Sequence, residues 1–351
     1  MDFFVVNGKI WQGKGRFCQA LLVRNGRISA AGAAERLEPY SKGCEIVDCG
    51  GRTVIPGIID PYGILPEPPP RKGLPDWLEG QLQQLARAGV VAMQWPDWEG
   101  NLAGQILPVL QQLREKRTLP RLQLLTRSNH GWQKGFGGRL TRVEELPGLW
   151  RRGGQFVVPI PERQTLERFF HQLQFCPLPA GNPRRLTLVG ADCTNSCHLQ
   201  RLGSLGVGVI GFPARLEDSL LQCAAQPGGQ TDTCCAWRTL SHLGARVAFG
   251  GIDRVTPFGG LQKAVCRTTV TTTGESRPSR EALTVEEGLE AMTVGAAWMD
   301  FQEDSSGRLL QGYRADLLVL SGDPFSCPPE RLGTIRPVLT MADGRILWRE
   351  I

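Results

Sequence analysis

Three acidic residues follow apolar runs that read as buried strands. Asp60 follows Gly57-Ile58-Ile59, Asp192 comes shortly after Leu186-Thr187-Leu188-Val189, and Asp253 comes after Ala248-Phe249-Gly250-Gly251. Carboxylates carried by three different strands could hold a hard divalent cation, or divide the roles of general acid and general base. Tyr62 and His130 sit on comparable loops and could touch a ligand there. Each also has a plainer reading: Asp60 as a hydrogen-bonded structural acid, Asp192 and Asp253 as loop caps, His130 as a surface residue. The chain has only 4 histidines, and His171, His198 and His242 fall in helical segments. A catalytic zinc needs about three protein ligands converging on one point. Cys193-x-x-x-Cys197-His198 has the residue types of a ligand set, but its spacing matches no standard zinc pair, and packing is expected of it. No Gly-x-Ser-x-Gly, P-loop or dinucleotide-binding glycine motif is present.

The elements that must position these residues follow from the apolar pattern. Residues 1–56 read as short strands joined by tight turns, with Asn7-Gly8 and Asn25-Gly26 predicting hairpins because both central residues of a type I′ turn need positive φ. The last forty or so residues repeat that style, with Ala315 to Leu320 as a strand and Asp343-Gly344 as a turn. Strands at both ends, with helices only between them, predict one sheet system shared by the two ends. Between them helix and strand alternate, and the strands are continuously apolar, which predicts a parallel sheet. Predicted strands include Val90–Gln94, Arg121–Thr126, Gln155–Val158, Leu186–Val189, Val207–Ile210 and Ala245–Phe249. Pro108 is expected in the first turn of a helix over Ile106–Arg114, and Thr284-Val285-Glu286-Glu287 is expected to open a helix running to Trp298. Gly135-Phe136-Gly137-Gly138 is expected as a loop, with Lys134 and Arg139 able to meet an anion, and Cys266–Glu281 as a mobile loop. The span 57–305 approaches the roughly 250 residues of a (β/α)₈ barrel, some units of which look trimmed. The expected fold is therefore α/β, a TIM-like barrel over 57–305 carried on a composite β-sandwich of 1–56 and 306–351.

Bulk properties bound the function. Hydrophobic content of 41% and charged content of 21% suit a globular chain, and the net charge of +6 is spread with no block of five like charges. Neither nucleic acid nor a membrane is expected as a partner. The 11 cysteines and a start without a signal-like stretch predict a reduced, cytoplasmic setting, with most thiols acting as buried small hydrophobes.

Four stretches resemble the amidohydrolase superfamily, in the branch that includes N-substituted formamide deformylase-like proteins. They are Val5–Trp11 with Leu22–Ile28 and Gly50–Asp60; Trp237–Gly250; Leu283–Ala297; and Gly307–Leu320 with Asp323-Pro324 and Asp343-Gly344-Arg345. The resemblance implies a barrel with metal ligands at its strand ends: a His-x-His after the first strand, single histidines after later strands, and an Asp after the last. At those positions stand Tyr62 and Ile64, then Pro159, Gly190 and Ile252, with Asp253 one residue later. A bound metal lowers the pKa of its water from 15.7 to about 7, and no evident general base replaces that effect. No cofactor is therefore expected. The chain is expected to be a non-hydrolytic binding or regulatory homologue, with a small-molecule ligand at the barrel mouth and a homodimer as a possible assembly. One alternative is a hydrolase of non-peptide C–N bonds, amide or cyclic amide, with a rebuilt carboxylate site. Another is an interaction subunit that pairs with an active amidohydrolase.

Overall fold

The computed structural model describes residues 1–116, 118–128, 136–226, 231–270 and 276–350. Eight parallel strands form one sheet in strict chain order: Ile58–Asp60, Val90–Asp97, Arg121–Thr126, Phe136–Leu140, Phe156–Pro159, Thr187–Val189, Gly208–Gly211 and Arg246–Phe249. Helices follow the first, second, fourth, fifth, sixth and seventh of these strands, as parallel neighbours require. The sheet curls into a nearly closed barrel, the (β/α)₈ form expected. Its interior is apolar, with Ile59, Val91, Leu125, Val157, Val189, Ile210 and Ala248 packed together.

Strands from both chain ends build two further sheets. One runs Arg27–Gly32, Ala20–Arg24, Phe3–Val6, Glu45–Asp48; the other runs Arg345–Arg349, Pro337–Ala342, Leu317–Leu320, Thr53–Pro56, Lys9–Gly13, Arg16–Cys18. Val54 lies opposite Val319, so the chain ends meet in the ladder. Phe3, Val5, Leu21 and Val23 of the first sheet share a core with Ile10, Val54, Leu317 and Met341 of the second, which makes a sandwich.

Local signals held unevenly. Asn25 and Gly26 take φ of 50° and 78°, and Asp343 and Gly344 take 48° and 65°, so both make the predicted hairpins. Asn7-Gly8 does not. Phe3–Val6 and Lys9–Gly13 lie in different sheets, so Asn7-Gly8 is a crossover, and Lys9–Gly13 turns back at Lys14-Gly15 instead. Pro108 is inside its helix, because the helix starts earlier, at Ala103, where the Asp97 carboxylate accepts from the N–H groups of Gly100, Asn101, Leu102 and Ala103. Phe136–Leu140 is the fourth barrel strand rather than a loop. A Cβ at Gly137 would lie 2.8 Å from Gln94 Nε2, and one at Gly138 2.8 Å from Gln155 Oε1, so glycine here serves close packing. The capping box at Thr284 forms, but its helix ends at Met292 and a second, Val294–Met299, follows after Thr293 at φ −127°, ψ −91°. Within Cys266–Glu281, Thr268–Val270 pairs with Ser276–Pro278 as a hairpin.

Helix Val294–Met299 closes the N-terminal end of the barrel. A Cβ at Gly208, on the seventh strand, would meet Met299 Sδ at 2.6 Å, and Thr187 Oγ1, on the sixth, lies 3.4 Å from that sulfur. Among the described residues no helix is long and apolar enough to cross a membrane.

Candidate functional site

Asp60 ends the first barrel strand and is 1% exposed. Its Oδ1 accepts from the N–H of Tyr62 at 3.1 Å and Gly251 at 3.0 Å, and its Oδ2 accepts from the N–H of Ile252 at 2.9 Å. The first and eighth strands are the two edges of the sheet, so this carboxylate bridges the seam where the barrel nearly closes. Burial pushes Asp60 up to about 6, against the downward pull of the Ile252, Tyr62 and Gly251 amides. Each of its oxygens is thus already engaged by backbone donors.

The other sequence candidates sit in separate surroundings. Tyr62 is buried above the barrel interior, its hydroxyl accepting from Trp98 Nε1 at 3.2 Å and its ring edge-on to Phe212 at 6.0 Å. These three aromatic side chains cover the inner face at the C-terminal end of the barrel. Asp253 caps its own loop, Oδ1 accepting from Val255 N and Thr256 N, both at 2.7 Å. The Thr256 and Val255 hydrogen bonds hold its carboxyl below the ordinary range. Asp192 Oδ2 accepts from Ser219 Oγ at 2.9 Å, and burial raises its pKa. His130 lies outside the described residues. Among the described residues, the single group of three or more His, Cys, Asp or Glu ligand atoms within 4.8 Å of one another is Cys193, Cys223 and Cys234. The three carboxylates therefore do not form one ligand set. Nor do Cys193, Cys197 and His198. Cys197 is exposed, and the His198 ring packs beside Phe170 at 5.5 Å. His171 is exposed, and His242 pairs with Glu287 at 3.1 Å on the surface.

A different constellation lies inside the barrel wall. A cavity of ≈ 140 Å³ is bounded by the first three strands and helix Val294–Met299, and Gln94, Gln123, Asp300 and Arg121 contribute its polar lining. Gln94 Nε2 donates to Asp300 Oδ1 at 2.9 Å. With its amide turned to suit its neighbours, Gln123 donates to Asp300 at 3.0 and 3.1 Å. Arg121 is already committed to Asp316 at 2.6 Å and Asp343 at 3.0 Å, and Arg314 to Asp343 at 2.6 Å. Arg185, the other cation acting on Asp300, pairs with Glu303. Around this cavity the carboxylates Asp300, Asp316 and Asp343 stand with the guanidiniums Arg121 and Arg314, and Arg114 also acts on Asp343. Burial pushes Asp300 up to about 7, despite Arg121, Gln123 and Gln94 acting the other way. Sequence reasoning missed this site because its members come from two strands and a loop more than 170 residues further on. Gln94 and Gln123, polar residues within otherwise apolar strands, were the available signal.

The sign of the pH effect follows. A carboxyl whose folded pKa lies above its ordinary 3.8 binds more protons folded than unfolded. Its contribution is full below about pH 4 and is lost as the pH rises to about 7; for Asp300 this is worth up to about 4 kcal/mol at 1.36 kcal/mol per unit. Urea unfolding between pH 5 and 8 should show stability falling with pH, and Asp300→Asn should flatten the fall. An equal slope in the variant would contradict this assignment.

Residues 176–348 match a family model described as "Amidohydrolase family". Over 122 residues, 34% of this chain, the sequence is 36% identical to "Putative amidohydrolase YtcJ" of Bacillus subtilis (strain 168), and that match spans only 23% of the relative's length. Similar solved structures include an uncharacterized metal-dependent hydrolase from Pyrococcus furiosus, with TM-score 0.73 and 14% identity over 93% of this chain and 100% of that one. N-isopropylammelide isopropylaminohydrolase from Burkholderia multivorans ATCC 17616 gives TM-score 0.64 and 17% identity over 100% and 99%. At these identities the structural likeness shows the fold.

Proposed function

We propose that this chain is an amidohydrolase-family protein whose barrel has lost the family's metal centre and which binds a small ligand instead of hydrolysing one. The observation that carries the reading is the state of the strand ends. Tyr62, Ile64, Pro159, Gly190 and Ile252 stand where the resemblance places metal ligands, and the remaining acid, Asp60, has both oxygens occupied by backbone N–H groups. Four of those five side chains are hydrocarbon or a single hydrogen, and none of the five is an imidazole or a carboxylate. These residues do not fit a catalytic zinc, which takes about three imidazole, carboxylate or thiolate ligands.

The ligand in this reading occupies the Asp300 cavity, because there polar groups converge while the opposite end is covered by Tyr62, Trp98 and Phe212. The Asp300 carboxylate and two carboxamides suit a small cation, an ammonium or amidinium, with apolar carbon against Ala296 and Ala297. A cation of this kind should raise the unfolding midpoint more at pH 8 than at pH 6, as Asp300 ionises, and Asp300→Asn should abolish the gain. Amide, cyclic-amide and dipeptide substrates should show no turnover with added zinc, manganese or nickel. Chelator-sensitive hydrolysis by the wild-type chain would overturn the reading. It would favour the hydrolase alternative, which draws on the hydrolase names of the structural neighbours.

A further inference from the structure

We propose that, in the reduced chain, Cys193, Cys223 and Cys234 form a thiolate site for a soft d¹⁰ cation, with zinc as the representative, on the rim between the sixth and seventh barrel units. The three sulfurs lie within 4.8 Å of one another. They come from three segments: the loop after the sixth strand carries Asp192 and Cys193, helix Leu216–Ala224 carries Ser219 and Cys223, and the loop before helix Trp237–His242 carries Cys234.

The frame around them is fixed. Cys193 and Cys234 face each other across an isolated antiparallel bridge. The buried Arg267 guanidinium donates to the carbonyls of Cys234 and Cys235, each at 2.7 Å, and of Thr231 at 3.3 Å. Thr194 and Thr233 exchange hydroxyl-to-carbonyl bonds. Soft thiolates at such spacing select zinc or copper(I) over hard cations.

A second observation points the same way. Asp192, beside Cys193 in sequence, is partly buried; its Oδ2 is taken by Ser219, and the Cys235 thiol is its other side-chain partner. A cation at the neighbouring sulfurs would place a positive charge beside this carboxylate. Carboxylates beside a metal centre commonly orient and tune it.

In the structure Cys193 and Cys223 are joined as a disulfide, which leaves Cys234 as the only free thiol of the three. Reduction by a dithiol opens the site. The Cys193–Cys223 S–S bond breaks, two electrons and two protons pass from the dithiol, and the dithiol closes to its own disulfide. Cation binding then displaces the thiol protons to solvent. This site is separate from the Asp300 cavity and uses none of Tyr62, Ile64, Pro159, Gly190 and Ile252, so it stands or falls independently of the ligand-binding reading.

Cadmium is the probe. Full-length chain reduced with a dithiol, freed of it under inert gas and titrated with Cd²⁺, should bind one ion with cadmium–thiolate ultraviolet absorbance. Cys193→Ser, Cys223→Ser and Cys234→Ser should each weaken binding by more than the roughly 10–100-fold of an outer partner, and Asp192→Asn by about that range. Cys18→Ser and Cys197→Ser should leave it unchanged. Should a core variant fail to fold, cadmium should still protect Cys193, Cys223 and Cys234 of the wild-type chain from alkylation, as read by peptide mass. Absence of stoichiometric cadmium on the reduced chain would overturn the proposal. So would equal binding by the oxidised chain, or protection of other cysteines instead.

Discussion

Arg121→Ala should lower the free energy of unfolding by about 3–5 kcal/mol, the range for a buried ion pair that loses one partner. Arg121 opens the third barrel strand and reaches across to the sandwich. There it grips both oxygens of Asp316, at 2.6 and 3.2 Å, and one of Asp343, at 3.0 Å. The Asp316 side chain is 3% exposed, so without the guanidinium its charge would be stranded away from water. Arg314 compensates Asp343 only. Lysine is no substitute, since an ammonium cannot make the two parallel bonds of a guanidinium. Urea or guanidinium unfolding would measure the loss, and Asp316→Asn added to Arg121→Ala should recover part of it by removing the stranded charge. A loss below about 1 kcal/mol, the scale of a surface pair, would show that the contact between barrel and sandwich is not held in this way.

Gly295→Ala should be the most damaging single methyl group. A Cβ at that position would lie 2.2 Å from the carbonyl oxygen of Val247, in the eighth barrel strand, and 3.2 Å from that of Glu290. Both obstacles are backbone, so relief requires helix Val294–Met299 to move off the barrel. Overpacking of this sort costs about 1–3 kcal/mol where neighbours can give, and more where they cannot. Because Ala296, Ala297 and Asp300 line the cavity, the shift should also lower ligand affinity. Gly80→Ala is the control: it lies within helix Leu74–Arg87 with nothing within 4 Å, and should stabilise by about 0.5–1 kcal/mol. Comparable stability in the two variants would contradict the close approach.

The contrast between these two glycines shows what a sequence carries and what it conceals. Gly80 lies within residues 77–88, a stretch whose apolar pattern reads as helix, and the helix forms there. Nothing around Gly295 announces that a strand carbonyl from nearly fifty residues earlier will press against it. Periodicity found most of the barrel because strands such as Phe156–Pro159, Thr187–Val189 and Gly208–Gly211 are largely buried and read as apolar runs. Thr284 and Glu287 were legible because a capping box is local. Asn7-Gly8 misled because the same dipeptide can cross between sheets, and only the partners of Phe3–Val6, which are Ala20–Arg24 and Glu45–Asp48, decide that. Phe136–Leu140 was hidden because its glycines, which permit close neighbours inside the barrel, look like loop residues.

The sites divide the same way. The residue types at the expected metal positions could be read from the chain, since that test needs only identity at a strand end. Asp60's role needed the fold, because its donors Gly251 and Ile252 lie some 190 positions away. Cys193 and Cys223 are 30 residues apart, outside any standard ligand spacing. Only the packing of three rim segments makes them neighbours of Cys234.

The most direct measurement is anomalous X-ray scattering from crystals grown with zinc, manganese or nickel, because it places an ion as well as detecting it. The account predicts no ordered ion at the C-terminal ends of the barrel strands, by Tyr62, Ile64, Pro159, Gly190 and Ile252, whether or not zinc appears at Cys193, Cys223 and Cys234. An ion coordinated at that mouth, with Asp60 turned away from the Gly251 and Ile252 amides to meet it, would contradict the claim that this barrel has given up its metal centre.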